Sequence, residues 1–175
     1  TPRPRPEKES PSPGRVLDPG LGALVRLCAE VARGSDADFD VVFTRALEVT
    51  DPVEVEEALL QSYLFVGYPA ALNAIAAWRR HSGFSSPPGE EDDPEAWTSR
   101  GEAVCKRVYG SAYPSLRTNI AALRPEMDRW MVREGYGKVL ARPGLALWRR
   151  ECCIVSLLAV LGAAPQLRSH LRGAL

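Results

Sequence analysis

Glu151 and His170 are the side chains of this sequence whose types and spacing fit proton transfer. Glu151 sits in a run with apolar residues at Leu147, Ile154, Val155, Leu157, Leu158, Val160 and Leu161. That density is too high for a one-sided surface helix and predicts one buried on most sides. Val155 and Leu158 share the face of Glu151, so its carboxylate must be paired, hydrogen-bonded or protonated. Gly162 and Pro165 end that helix and open the next, which carries His170. If the two helices form a hairpin, the carboxylate orients the imidazole as a general acid or base. A structural hydrogen bond that only holds the hairpin together is the plainer account of the same two residues.

The densest basic cluster, Arg149, Arg150, Arg168 and Arg172, flanks this pair. It reads either as a solvated helix face or as an anchor for a small carboxylated substrate. Cys28, Cys105, Cys152 and Cys153 show neither zinc spacing nor a disulfide framework. Adjacent Cys152 and Cys153 point about 100° apart on a helix and are not preset to bond one another. His81, beside Arg79 and Arg80, is expected to be exposed, with no carboxylate placed to orient it. Tyr63 and Tyr68 read as pocket walls or as core aromatics with satisfied hydroxyls. Glu54, Glu56 and Glu57 complement a helix dipole rather than form a metal site.

The elements that must position these groups are helical. Leu24, Leu27, Cys28 and Val31 repeat at a helical period before Gly34. Ser35 would cap a second helix over 36–49, with Phe39, Val42, Phe43 and Leu47 facing inward. Asp51-Pro52 starts a third helix, which runs to Gly67 and is followed from Pro69 to Gly83 by another. Residues 84–93 read as a loop and candidate flap, and Pro94 opens a helix to Tyr109. Helices then follow around Leu116 to Leu123 and from Pro125 to Glu134, with Gly135, Gly137 and Pro143-Gly144 making a flexible turn ahead of the Glu151 helix. The fold class is therefore all-α. Residues 1–19, rich in Pro, Arg, Glu and Ser, read as a disordered arm, and 20–175 as a single domain.

Composition agrees: 175 residues, 45% hydrophobic and 25% charged, suit one soluble domain. Acidic and basic residues balance at 22 each, so no overall field draws nucleic acid or an anionic membrane. No apolar run reaches the ~18–20 residues of a membrane span. The Pro/Arg-rich start lacks the apolar segment of a secretory signal, and a cytoplasmic protein is expected.

The run Tyr136-Gly137-Lys138-Val139-Leu140-Ala141-Arg142-Pro143-Gly144-Leu145, then Arg150-Glu151, then residues 166–175 from Gln166 through His170, resembles the carboxymuconolactone decarboxylase family of the alkylhydroperoxidase D-like superfamily. Residues 56–74, from Glu56 through Tyr63 to Ala74, resemble the helical pair that follows the His in that family. The resemblance implies an alkylhydroperoxidase D-like helical bundle that assembles as trimers or hexamers of trimers. Redox members of the superfamily carry a Cys-x-x-Cys between the Glu and the His. Ala163 and Gln166 occupy those positions here, so the thiol chemistry has no nucleophile and the decarboxylase pattern is retained.

What the resemblance implies is decarboxylation of a small carboxylated lactone such as 4-carboxymuconolactone, with no metal or organic cofactor required. His170 would donate or shuttle the proton, Glu151 would orient it, and Arg150, Arg168 and Tyr63 would contact substrate. Two alternatives stand beside it: a thiol-dependent peroxide or disulfide reductase using Cys152 and Cys153, and a non-catalytic oligomeric binding protein.

A weak internal repeat accompanies this reading. The stretch from Leu24 to Val31 ahead of Phe43 resembles Ile154 to Leu161 ahead of His170, with Leu21 in the place of Glu151 and Phe43 in that of His170. One site per chain is expected. The second copy reaches Leu175 without a helical pair of its own, so either the sequence stops short of that pair, or the first copy's helices or another subunit would complete the pocket.

Overall fold

The computed structural model describes residues 18–34, 39–87 and 93–174, with backbone alone for 172–174. Every regular element among them is helical. The order is α1 (Pro19–Arg33), α2 (Phe39–Val49), α3 (Pro52–Ser82), α4 (Ala96–Tyr109), a 3-10 turn (Gly110–Ala112), α5 (Tyr113–Leu123), α6 (Pro125–Trp130), a π-helical segment (Met131–Leu140), α7 (Leu147–Val160) and α8 (Ala164–Ala174). None of the helices among the described residues is long and apolar enough to cross a membrane.

Local chemistry sets the clearest boundaries. Asp18 accepts from Leu21 N at 3.1 Å and Pro19 opens α1, while Asp51 accepts from Val53 N at 2.9 Å and Pro52 opens α3. Asp18 and Pro19 thus belong to the folded unit rather than to an N-terminal arm; residues 1–17 lie outside the described residues, as do Ser35 and Asp36. In α3 the chain breaks at Gly67, whose φ of 79° and ψ of 167° only glycine adopts without strain. Pro69 follows, with no N–H to continue the ladder. The expected two helices are therefore present, joined end to end across a kink at Gly67 within α3. Pro94 lies in a turn ahead of α4 and is not its first residue.

Two apolar clusters make the core, and α7 belongs to both. Cys153 and Leu157 pack with Leu24, Leu27, Phe43, Leu59 and Trp78 from α1, α2 and α3. Ile154 and Leu158, on the adjoining face, pack with Cys105 and Val108 of α4 and with Val132, Tyr136, Val139 and Leu140 of the π-helical segment. Such burial is worth roughly 1.5–3 kcal/mol per large side chain, and it is what fixes the position of Glu151 between the clusters. Leu47, expected inward, is 40% exposed, because α2 buries only Phe39, Val42, Phe43 and Ala46.

The flexible turn expected around Gly135 and Gly137 is instead helical to Leu140. The wider winding is visible where Ala141 N donates to Tyr136 O at 2.9 Å, five residues back. The glycines serve contact, not bending. A Cβ on Gly137 would come within 1.9 Å of Trp97 O, and one on Gly101 within 1.9 Å of Val132 O. Arg100 clamps the crossing, its Nε and Nη2 donating to Gly137 O at 3.1 and 2.8 Å. The true turn before α7 is confined to residues 141–146.

Candidate functional site

The α7–α8 hairpin turns at Gly162, where φ is 68°. This brings His170 Nδ1 to 2.8 Å from Glu151 Oε2. Both residues are buried, Glu151 at 1% and His170 at 8% exposure. A carboxylate only accepts hydrogen bonds, so with Glu151 ionised Nδ1 carries the hydrogen and Nε2 is the nitrogen left to exchange a proton. The other carboxylate oxygen, Oε1, is buried with no hydrogen-bond partner among the described residues. An acceptor in that condition is costly unless a donor reaches it.

Aromatic rings close the surroundings. Phe65 of α3 and Tyr109 of α4 meet the His170 ring edge to face, at centroid distances of 6.2 and 6.1 Å. Tyr136 donates its hydroxyl to Tyr109 at 2.7 Å. Burial, with the field of Glu151 adding to it, pushes the Tyr109 phenol up to about 12 and the Tyr136 phenol well above its usual value. Burial likewise pushes the Cys105 thiol up to about 12. The phenols therefore stay protonated and serve as neutral donors. A cleft of about 320 Å³ reaches Glu151 from the side of α4 and the α7 N-terminus, lined by Arg107, Val108, Ala146, Leu147 and Trp148.

The remaining candidates lie elsewhere. Arg150 is fully buried on the neighbouring face of α7 and faces the first core. Its Nη2 donates to Glu57 Oε2 at 2.8 Å, its Nη1 to Gln61 Oε1 at 3.2 Å and its Nε to Leu145 O at 3.1 Å. Arg142 donates to the same Glu57 at 2.9 Å. Arg150 thus does not flank the pair as an open anchor; its donors tie α3, the 141–146 turn and α7 together. Burial lowers its pKa against the pull of Glu57. Arg149 pairs with Glu54 at 2.8 Å and with Asp18, and Arg168 is exposed on α8. Glu54, Glu56 and Glu57, expected as a simple dipole complement, all hold distant groups, Glu56 accepting from Ser86 N at 2.9 Å. Tyr63 lines a separate pocket with Tyr68, away from Glu151 and His170.

His81 differs from expectation. Its Nδ1 lies 3.2 Å from Asp40 Oδ1 and its Nε2 3.2 Å from Thr44 Oγ1, so a carboxylate does orient it. The Thr44 hydroxyl donates to Asp40 O at 2.8 Å, a bond within α2. Among the cysteines, Cys153 is held with its thiol up by a hydrogen bond with Cys28 and by burial, and burial raises Cys152 as well.

Arg107, Tyr109 and Tyr136 were not legible as site residues. They come from α4 and the π-helical segment, and only the position of those elements against α7 reveals them. Among the described residues no group of three or more His, Cys, Asp or Glu side chains is arranged to hold a metal ion. Comparison with known protein families and with curated proteins returns no match for this chain.

Proposed function

We propose that Glu151 and His170 form a general acid–base pair that decarboxylates a small carboxylated lactone, as in carboxymuconolactone decarboxylases, on an alkylhydroperoxidase D-like bundle. The observation that carries this is the buried 2.8 Å contact of His170 Nδ1 with Glu151 Oε2, with Oε1 unsatisfied among the described residues and Glu151, though not His170, in the lining of a cleft. The substrate carboxylate leaves as carbon dioxide, and the electron pair of the broken bond passes into the conjugated lactone carbonyl as a dienolate. His170 delivers a proton to the dienolate carbon, and Glu151 stabilises the imidazolium that alternates with the neutral ring. Arg107, on the cleft wall, is the cation placed to meet the incoming carboxylate, with exposed Arg168 on α8 as a second. Tyr109 supplies a neutral donor.

The internal repeat has support in how α1 crosses α7. Ser156 Oγ donates to Val25 O at 2.7 Å, and Cys28 meets Cys153. Both contacts fit one antiparallel crossing centred between Val25 and Arg26 on α1 and between Val155 and Ser156 on α7. Those are positions that the repeat aligns, so a two-fold relation between the copies is the natural reading. Self-association into trimers or hexamers belongs to the same proposal, as does a cytoplasmic setting. The thiol-dependent alternative is disfavoured because the thiolate is the nucleophile and Cys152 and Cys153 are both held toward the thiol.

The test is release of carbon dioxide from 4-carboxymuconolactone by the purified protein, with His170→Asn and Glu151→Gln beside it. Turnover that falls about 10²–10⁴-fold in His170→Asn supports the pair as general acid–base machinery. A folded protein with no turnover, or one unaffected by His170→Asn, overturns it.

A further inference from the structure

A second pocket, of about 210 Å³, opens where α3 passes the end of the π-helical segment. It is lined mainly by Leu60, Tyr63, Tyr68, Leu72, Lys138 and Val139, and contains neither Glu151 nor His170. Its wall is made by the break at Gly67. In an unbroken α-helix, residues five apart point about 140° from one another and do not meet. Here the Tyr63 and Tyr68 rings meet with centroids 4.8 Å apart and planes tilted by 31°. The backbone that permits this, φ 79° and ψ 167°, suits glycine alone, and such conformations collect at ligand sites. Burial, and then the neighbouring Tyr68 and Glu134, raise the Tyr63 phenol, so a neutral aromatic face borders the pocket.

The charged residues in the lining are the cations Lys138 and Arg142. The Lys138 ammonium lies 5.1 Å from the Trp97 ring centre, and no carboxylate among the described residues forms an ion pair with it. Arg142 lines the same rim and shares Glu57 with the buried Arg150. Tyr68 and Leu72, 62% and 59% exposed, leave the opposite lip apolar and open. Flat apolar walls with a cation at one edge match a planar ring that carries an anionic group.

We propose that this pocket binds a planar aromatic monocarboxylate, its ring against Tyr63 and Tyr68 and its carboxylate toward Lys138. The site is distinct from the Glu151–His170 pair and does not depend on the reaction assigned there.

Benzoate is the probe, with benzamide as its uncharged counterpart, titrated by calorimetry against the whole chain. Saturable binding at one site per chain, at least tenfold weaker for benzamide, is expected. Lys138→Met and Tyr63→Leu, each checked for native helicity by circular dichroism, should each weaken benzoate about tenfold or more. His170→Asn should leave it unchanged, which separates this pocket from the proposed active site. Equal binding of benzoate and benzamide, affinity untouched in folded Lys138→Met, loss of binding in His170→Asn, or no saturable binding at all would overturn the proposal.

Discussion

Gly101 on α4 and Gly137 on the π-helical segment are each pressed against the other element's backbone, one toward Val132 O and the other toward Trp97 O. Neither position has room for a methyl group, since the obstructing atoms are main-chain carbonyls. Gly101→Ala is therefore expected to separate the two elements and to lower stability by about 3 kcal/mol or more, toward the upper end of overpacking effects. Urea unfolding of the variant and the parent gives the difference. A loss under about 1 kcal/mol would show that the crossing yields easily.

Arg150 predicts a different kind of damage. It is buried with Glu57 and Gln61 and holds two carbonyls of the 141–146 turn, Arg142 O and Pro143 O, each at 3.1 Å. Arg150→Met leaves those acceptors without their donor and should cost about 3–5 kcal/mol. Adding Glu57→Gln should not recover that loss, because Arg142 still pairs with Glu57 and is deprived of its carboxylate in turn. Denaturant midpoints of the single and double variants check the coupling.

Alkaline pH should unfold the protein through the tyrosine pair. The Tyr109 phenol, ordinarily near 10, stands at about 12 in the fold, and Tyr136 is raised as well. The folded state thus holds protons that the unfolded chain releases. The resulting stability is fully present below about pH 10 and is lost as pH rises toward 12, on the order of 2–3 kcal/mol for Tyr109 alone. Tyr109→Phe should flatten that decline. Helicity followed from pH 9 to 12, beside phenolate absorbance, measures it, and an unchanged slope in the variant would contradict this origin.

Thiol reactivity should be confined to one position. Cys28, Cys105 and Cys153 are buried, while Cys152 is half-buried and is itself pushed toward the neutral thiol. A disulfide reagent at neutral pH should label Cys152 slowly and the other three only after denaturant is added. Mass spectrometry of the labelled peptides distinguishes this from rapid modification of the Cys152-Cys153 pair.

What could be read from the sequence follows from the range of the interactions involved. Asp51-Pro52, Gly34 and Gly83 act within a turn of themselves, so both ends of α3 and the C-terminus of α1 were legible, whereas the Asp18-Pro19 cap reads from sequence as part of the N-terminal arm. The Glu151–His170 pair was legible too, because a short hairpin joins its two helices. Arg150 was not, since its acceptors Glu57 and Gln61 lie in a helix far back in the chain. Gly135 and Gly137 look like breakers until α4 is laid against them. Met127 and Trp130, apolar residues of α6 that composition alone would send inward, are 53% and 55% exposed.

The shared membership of α7 in both apolar clusters sets the order in which the protein comes apart. Freeing this helix means dismantling the packing on either flank at once, so its amides should exchange with deuterium only through global opening. α5 buries no residue and is tied to α6 by Arg117 with Asp128, so it should open at a lower free energy than α7. The hairpin bearing Glu151 and His170 is thus fastened to the part of the molecule that should open last.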